Sequence, residues 1–388
     1  MKDTYISEAV KYIGADDTTL DLFESQYQIP NGVSYNSYVI LDEKVAVMDT
    51  IDERKTDEWF ANLENVLNGR TVDYLVISHL EPDHAANIKR AADKFPQAQL
   101  VLSAKAKAML PQFFDIAHLD ERCLVVKEGD TLELGIHKLH FVMAPMVHWP
   151  EVMVEYEETE KILFSADGFG KFGALSAEEE WTDEARRYFI NIVGKYGVQV
   201  QTLLKKAAAL DIQTICPLHG PVLKENLGFY IGKYLTWSSY EPEEDGVLVA
   251  CASIHGNTKA AAEKMVEVLR ANGASKVVFM DLTRDDMAET VADAFRYGKI
   301  ILAAASYDAG VFPPMEDFLH RLVHKNLQKR TFGLIENGSW APCAAKGMKG
   351  ILEGMKEVNI CENVVSIKST MKDTDVAKME ELAKEILA

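Results

Sequence analysis

The sequence predicts an α/β protein in two parts, a front sandwich of two β-sheets covered by helices and a rear doubly wound parallel sheet. Three observations predict it. From Ser34 onward, short β runs are interspersed with helical stretches, as in mixed sheets enclosed by helices. After Gly246 the rhythm changes to five strict strand–helix alternations, which build a parallel sheet that binds ligands at its carboxyl edge. Between the two, the stretch from Trp237 to Asp245 is acidic, contains Pro242 and has no periodicity, as linkers do. The expected domains are 1–245, with the linker over about 222–245, and 246–388.

In chain order, residues 1–30 carry no clear pattern. Residues 34–41 and 45–49, joined by Asp42-Glu43-Lys44, read as a hairpin. A helix over about 54–68 leads to the apolar run Tyr74-Leu75-Val76-Ile77, a buried strand. A strand at 100–103 and a helix at about 105–114 follow, then β runs at 124–126, 131–134, 138–143, 152–156 and 161–166. A helical stretch over about 176–210 opens with a capping-box spacing, Ser176 and Glu179, and carries an apolar stripe of Tyr188, Phe189, Ile192 and Val193. In the rear part, strands at 247–252, 276–280, 299–304, 331–335 and 364–367 alternate with helices near 257–271, 287–297, 315–326, 344–357 and 373–387.

Composition narrows the class. The chain has 388 residues, 41 basic against 60 acidic, for a net charge of −19. That balance argues against nucleic acid and anionic membrane, and fits a basic or neutral docking partner. No apolar run approaches membrane-spanning length, and Met1-Lys2-Asp3-Thr4 does not open a signal peptide. The five cysteines, Cys123, Cys216, Cys251, Cys343 and Cys361, form no Cys-x-x-Cys. This excludes an iron–sulfur or rubredoxin-type module within the chain and points to a reducing compartment, the cytoplasm.

The densest chemistry is Ser78-His79-Leu80-Glu81-Pro82-Asp83-His84. Two imidazoles and two carboxylates meet at a strand-to-helix turn, where side chains converge. Groups so close repel one another or lose solvation unless a cation holds them, so the cluster reads as a metal site. A polar loop capping the helix through Asp83 explains one residue and leaves His79, Glu81 and His84 without a role. Three further ligand candidates close strands downstream: His148 before Trp149-Pro150, Asp167 before Gly168, and His219 before Gly220. Singly, each fits a hydrogen-bonded structural residue or a turn. Their shared position at strand ends joins them to the cluster. His118, His137, His140, His320 and His324 have no such setting and read as surface or core residues.

In the rear part, Ser253-Ile254-His255-Gly256-Asn257-Thr258 follows the first strand and opens its helix. Hydroxyls and free N–H groups at a helix N-terminus cradle a phosphate, and Gly256 allows close approach. With no Lys in the motif and no Gly-x-Gly-x-x-Gly, a monophosphate such as that of FMN fits better than a triphosphate or a dinucleotide. A plain helix cap is the alternative. Two loops strengthen the ligand reading: Ser306-Tyr307-Asp308-Ala309-Gly310 after the third strand, and Asn337-Gly338-Ser339-Trp340 after the fourth. Each places an aromatic side chain where a flat ring would lie.

Taken together, these motifs resemble the flavodiiron proteins, or A-type flavoproteins, over nearly the whole chain. The resemblance rests on the order His79-x-Glu81-x-Asp83-His84, His148, Asp167, His219, then Ser-x-x-Gly-Asn-Thr. It implies a metallo-β-lactamase-like αββα sandwich followed by a flavodoxin-like doubly wound parallel sheet. Zinc hydrolases of the first fold carry His-x-His-x-Asp-His; Glu81 replaces an imidazole by a harder oxygen donor, which shifts preference from zinc toward iron.

The family pattern implies His79, Glu81, His148 and Asp167 on one iron, and Asp83, His84, Asp167 and His219 on the other, with Asp167 bridging. Trp149, Tyr188 and Tyr196 are candidates to line the site. Two ferrous ions, three carboxylates and a bridging hydroxide sum to zero charge, which suits burial. Metals in such pairs lie roughly 3.5–4 Å apart. The implied activity is reduction of O₂ to water, of NO to N₂O, or both, with FMN relaying electrons.

The resemblance further implies a head-to-tail homodimer, or a dimer of dimers, which sets the FMN of one chain beside the di-iron site of another. No rubredoxin or flavin-reductase segment follows Ala388, so the expected donor is external: rubredoxin, a rubredoxin reductase system or reduced deazaflavin. Two places depart from the family pattern, the loop 304–309, where a Ser-Pro-Thr type is expected, and Glu151, where Asp is usual. The competing readings are a zinc hydrolase fused to a flavodoxin domain, against which Glu81 argues, and an electron carrier with a vestigial metal domain, against which seven retained ligands argue.

Overall fold

The computed structural model describes residues 5–388. The start Met1-Lys2-Asp3-Thr4, read above for a signal peptide, lies outside the described residues. The chain divides into two compact units, Met1–Phe189 with Val198–Tyr234, and Ile190–Gly197 with Leu235–Ala388.

In the first unit two sheets face each other. One runs in the order Val10–Tyr12, Tyr38–Leu41, Val45–Met48, Tyr74–Val76, Gln99–Ser103, Cys123–Val126. The other runs Thr131–Glu133, Lys138–Met143, Met153–Glu157, Ile162–Phe164, Thr214–Cys216. Alternation along the strands builds both faces. Tyr38, Ile40, Ala46, Met48, Val76 and Val101 point inward and pack with Phe141, Met153, Ile162 and Phe164 of the facing sheet. The alternate residues Val47, Leu75 and Leu100 point outward and meet Trp59 and Leu63 of the helix Thr56–Leu67.

Four differences from the sequence reading have physical causes. Residues 34–41 are two strands: Val33–Tyr35 pairs with Ala15–Asp17, and the chain bends at Asn36-Ser37 before Tyr38–Leu41 pairs with Val45–Met48. The unpatterned start holds Val10–Tyr12, Ala15–Asp17, Leu22–Phe23 and Tyr27–Gln28, all too short for periodicity to show. The helical stretch begins at Trp181, because Glu179 binds Lys171 and Asn31 instead of closing a capping box with Ser176. It is then interrupted by a π-turn, Phe189–Val193, and a tight turn, Gly194–Tyr196, before Gly197–Ala207, although its stripe of Tyr188, Phe189, Ile192 and Val193 is buried as expected. Finally, 222–245 is no loose tether: it contains the helix Leu227–Ser238, and Trp237 and Tyr240 are buried.

The second unit holds a parallel sheet in the order Val277–Asp281, Glu244–Ala252, Tyr297–Tyr307, Arg330–Asn337, Val358–Ile367. This is the 2-1-3-4-5 order of the flavodoxin-like fold. The helices Asn257–Ala271 and Asp373–Leu387 bury Met265, Leu269, Met379 and Leu382 against one face. The third strand doubles back into Gly310–Val311 through Asp308-Ala309, whose φ angles of 45° and 60° make a two-residue primed turn.

Arg330 is the second unit's largest buried cation. Its guanidinium donates to the carbonyls of Ala294, Phe295, Tyr240, Gln328 and Lys329, and burial lowers its pKa to about 10. Replacement by methionine leaves those carbonyls without their donor. Arg330→Met is therefore expected to destabilise this unit by about 3 kcal/mol, read as a lower denaturant midpoint at unchanged slope.

Candidate functional site

Four strands of the first unit end in turns that each deliver ligand candidates. Tyr74–Val76 leads to His79, Glu81, Asp83 and His84; Lys138–Met143 to His148; Ile162–Phe164 to Asp167; Thr214–Cys216 to His219. Pro82 occupies the first position of the helix Pro82–Ala85, where its missing N–H is harmless, and Asp83 and His84 follow within the same turn.

The seven side chains converge. Asp167 divides them: its Oδ2 lies 3.3 Å from His79 Nε2 and 2.9 Å from His148 Nε2, while its Oδ1 lies 3.5 Å from His84 Nε2 and 4.0 Å from His219 Nε2. Glu81 Oε2 joins the first set, 2.8 Å from His148 Nε2, and Asp83 Oδ2 the second, 3.4 Å from His84 Nε2 and 3.3 Å from His219 Nε2. The result is two groups able to hold a cation, His79-Glu81-His148-Asp167 and Asp83-His84-His219, with Asp167 Oδ1 facing the second.

Neighbouring backbone and side chains fix these orientations. Ser34 C=O accepts from His219 Nδ1 at 2.8 Å, turning Nε2 toward the centre, and Asn36 Nδ2 donates to the carbonyls of Pro217 and Gly220. Asp49 accepts from Ser78 N–H at 2.7 Å, and Thr50 N–H and hydroxyl both donate to His84 C=O. Glu151 is buried and accepts from Leu80 N–H at 2.9 Å, tying the His148 loop to the His79 loop. Such supports tune a metal site as much as its ligands do.

Burial opposes charge on every member, and the neighbours decide the balance. Against burial, the His148 imidazole 2.8 Å away and the nearby imidazole of His79 pull Glu81 down to about 2. Burial and the Glu81 charge hold Asp83 up at about 6. For His148, the carboxylates of Asp167 and Glu81 outweigh burial and raise it to about 10; His79 and His219 are raised against burial by Asp167 and by Asp83 respectively. His84 goes the other way, lowered by burial and by His219.

The donor set fits a pair of cations. His79 Nε2, both Asp83 oxygens and Asp167 Oδ1 are buried without a hydrogen-bond partner. Each such atom costs about 1–3 kcal/mol unless something occupies the centre. Imidazole and carboxylate donors, with Glu81 in place of an imidazole, suit iron.

In the second unit, the carboxyl ends of the strands frame a cleft of about 580 Å³, within the size range of cofactor sites. Thirteen of the fifteen cofactor candidates line it: Ser253, Ile254, His255, Asn257, Thr258, Ser306, Tyr307, Asp308, Ala309, Asn337, Gly338, Ser339 and Trp340. Gly256 and Gly310 shape its loops instead: Gly256, at φ 92°, precedes the helix Asn257–Ala271, whose start no side chain caps, and Gly310 closes the primed turn. Trp340 is 92 % exposed and Tyr307 46 %, apolar surface that a flat ring would cover.

A family model described as ODP family beta lactamase matches residues 33–220. The rubredoxin oxygen:oxidoreductase of the anaerobe Desulfovibrio gigas superposes with a TM-score of 0.91 at 25 % identity, over 99 % of this chain and 97 % of that one. The flavodiiron protein of Giardia intestinalis superposes with a TM-score of 0.88 at 24 % identity, over 100 % and 97 % of the two chains. A nitric oxide reductase of Moorella thermoacetica is 26 % identical over 99 % of this chain and 98 % of its own.

The chain is similar over its whole length to flavodiiron proteins.

Some residues of this chain escaped the sequence reading. Phe23 and Tyr35 pack their rings 5.5 Å and 5.9 Å from His219, beside Tyr188 at 5.3 Å. Phe23 sits in the unpatterned start, which offered no signal; Tyr35 lay in a run read only as strand. Trp149 is half-buried against Phe113, and Tyr196 belongs to the second unit, where it is half-buried. Cys343 and Ser369 also line the second unit's cleft, Ser369 beyond the end of the fifth strand, a place the doubly wound rule points to. Ser306 accepts from the N–H groups of Cys343 and Ala344, so it also anchors a helix.

Because Glu81 is the departure from zinc-type donors, Glu81→His is expected to retain metal but shift the occupied ion toward zinc, measured by competitive loading and metal analysis.

Proposed function

We propose that the protein reduces O₂ to water, NO to N₂O, or both, at two irons held by His79, Glu81, Asp83, His84, His148, Asp167 and His219, with FMN in the cleft of the second unit. The observation that carries this is the division of seven ligand side chains by the two oxygens of Asp167, with Glu81 in the place of an imidazole. Two irons held by these seven residues would supply the site where the gas is bound and reduced, and FMN in the cleft would supply electrons singly or in pairs.

The chain's own residues do the rest. Asp167 and Glu81 set charge beside His79 and His148. Ser34 and Asp49 hold the loops that aim the imidazoles. Phe23, Tyr35 and Tyr188 close the His219 side against water. A cleft of about 230 Å³ opens on Glu81 and Asp83. In the second unit, the uncapped start of Asn257–Ala271 with Ser253 and Thr258 suits the flavin phosphate, and Tyr307 and Trp340 suit the ring.

The reading extends to features that rest on family likeness. Electrons come from an external donor, rubredoxin, a rubredoxin reductase system or reduced deazaflavin; the name of the Desulfovibrio gigas relative supports the first. Metal chemistry belongs to 1–245 and flavin binding to 246–388. The assembly is a head-to-tail dimer or a dimer of dimers. A cytoplasmic location is supported by five free cysteines; among the described residues no helix is long and apolar enough to cross a membrane.

The test is metal and flavin analysis of purified protein, followed by anaerobic reduction and mixing with O₂ or NO. Iron, FMN and rapid flavin reoxidation with turnover are expected. Zinc at full occupancy without iron, or iron-loaded protein that reacts with neither gas, would sink the reading.

A further inference from the structure

One cavity of the first unit has no part in the chemistry above. It measures about 30 Å³ and lies against the helix Gly197–Ala207, among Val154, Leu163, Phe169, Val200 and Leu204. Its inner wall is Val147, Ser165 and Gly168, all buried, and these flank the ligands His148 and Asp167 in the chain. Its outer wall, Val142, Leu203, Ala207 and Leu210, is half-buried. The space therefore leads from near the surface to the back of the metal loops.

The cavity is dry by its chemistry. Of its lining side chains only Ser165 and Tyr234 carry a polar atom, and both are engaged: the Ser165 hydroxyl donates to Gly168 C=O at 2.6 Å, and the Tyr234 oxygen accepts from Phe169 N–H at 2.5 Å. A buried water needs two to four polar partners, which this wall does not offer. Ions are excluded by desolvation, whereas a neutral, weakly polar gas moves from water into apolar space favourably. The volume admits a diatomic molecule and nothing as large as a flavin. The cleft on Glu81 and Asp83 is the opposite, ringed by Glu24, Asp52 and Arg54 and suited to water and protons.

We propose that this dry cavity is a holding site for a neutral diatomic gas, from which O₂ or NO reaches the metal centre past Val147 and Gly168. The proposal rests on the reading that the centre acts on such a gas. Xenon is the direct probe. Crystals of the iron- and FMN-loaded protein held under xenon are expected to show it between Val154, Phe169 and Leu204; an empty cavity overturns the proposal whatever the protein turns over. Leu204→Phe fills the same space, with Ala207→Leu as the milder filler where the larger side chain disturbs folding. In a variant that keeps its iron, the second-order rate of reaction with O₂ or NO is expected to fall severalfold, while reduction of the flavin by its donor is unchanged. A filled, iron-loaded variant that reacts as fast as the parent overturns the proposal. A parent protein inert to both gases defeats the functional reading instead, and leaves the xenon result to be read by itself.

Discussion

Asp167→Ala is expected to empty both metal positions at once. Its Oδ2 lies against His79 and His148, and its Oδ1 faces His84 and His219, so removing the carboxylate strips each group of a shared anion. What remains is a buried set of four imidazoles with two carboxylates, too little negative charge to balance two divalent ions. Metal-assisted stabilisation of developing charge is worth several kcal/mol, so turnover of O₂ or NO should fall by about a thousandfold or more. Flavin content and flavin reduction should be untouched, because those residues lie in the second unit. His219→Ala provides the contrast: it removes one ligand from one group and should spare the iron at His79, Glu81, His148 and Asp167. Metal analysis with anaerobic mixing experiments checks both, and an Asp167→Ala protein that retains two irons would exclude the bridging role.

Metal loading should depend steeply on pH. A metal takes neutral imidazoles and ionised carboxylates, so every proton held by the empty site must leave. In the empty site Asp83 titrates near 6 and His148 near 10, and His79 and His219 are also raised. Affinity should therefore climb between pH 6 and 10, by about tenfold per pH unit for each proton displaced.

Stability of the empty protein runs in the opposite sense. A raised His148 contributes stability that is fully present below its unfolded value of about 6.5 and is lost as pH rises through about 10. The gap in stability between loaded and empty protein should thus widen as pH rises. Calorimetric titration in buffers of different ionisation enthalpy counts the protons released; an affinity flat across this range would refute the account.

Much of the site was legible because its residues are crowded or punctuated. Four ionisable groups between His79 and His84 have no inexpensive use without a cation, and His148, Asp167 and His219 each follow an apolar run at its end. The rear sheet was legible because its strands carry apolar runs, those of the three central strands buried on both faces, and each is followed by a helix. Asn257–Ala271 and Asp373–Leu387 begin and end at the expected residues. The failures share a cause as well. Ser176 and Glu179 have the spacing of a cap, yet a cap is a local preference, and the bonds of Glu179 to Lys171 and Asn31 outweigh it. Leu227–Ser238 sits inside the stretch taken as a linker, and what holds Tyr240 there is the bond from Arg330, ninety residues away.

Residue order alone picked out the seven ligand candidates and the rear-sheet loops read as a flavin site, because both depend on residue types at fixed spacing after strands. Only the folded chain decided which oxygen of Asp167 serves which group, that Phe23 and Tyr35 wall His219, and that a dry space backs onto His148 and Asp167. Those depend on side chains distant in sequence meeting in three dimensions, where distance and packing act and neighbouring letters carry no record of them.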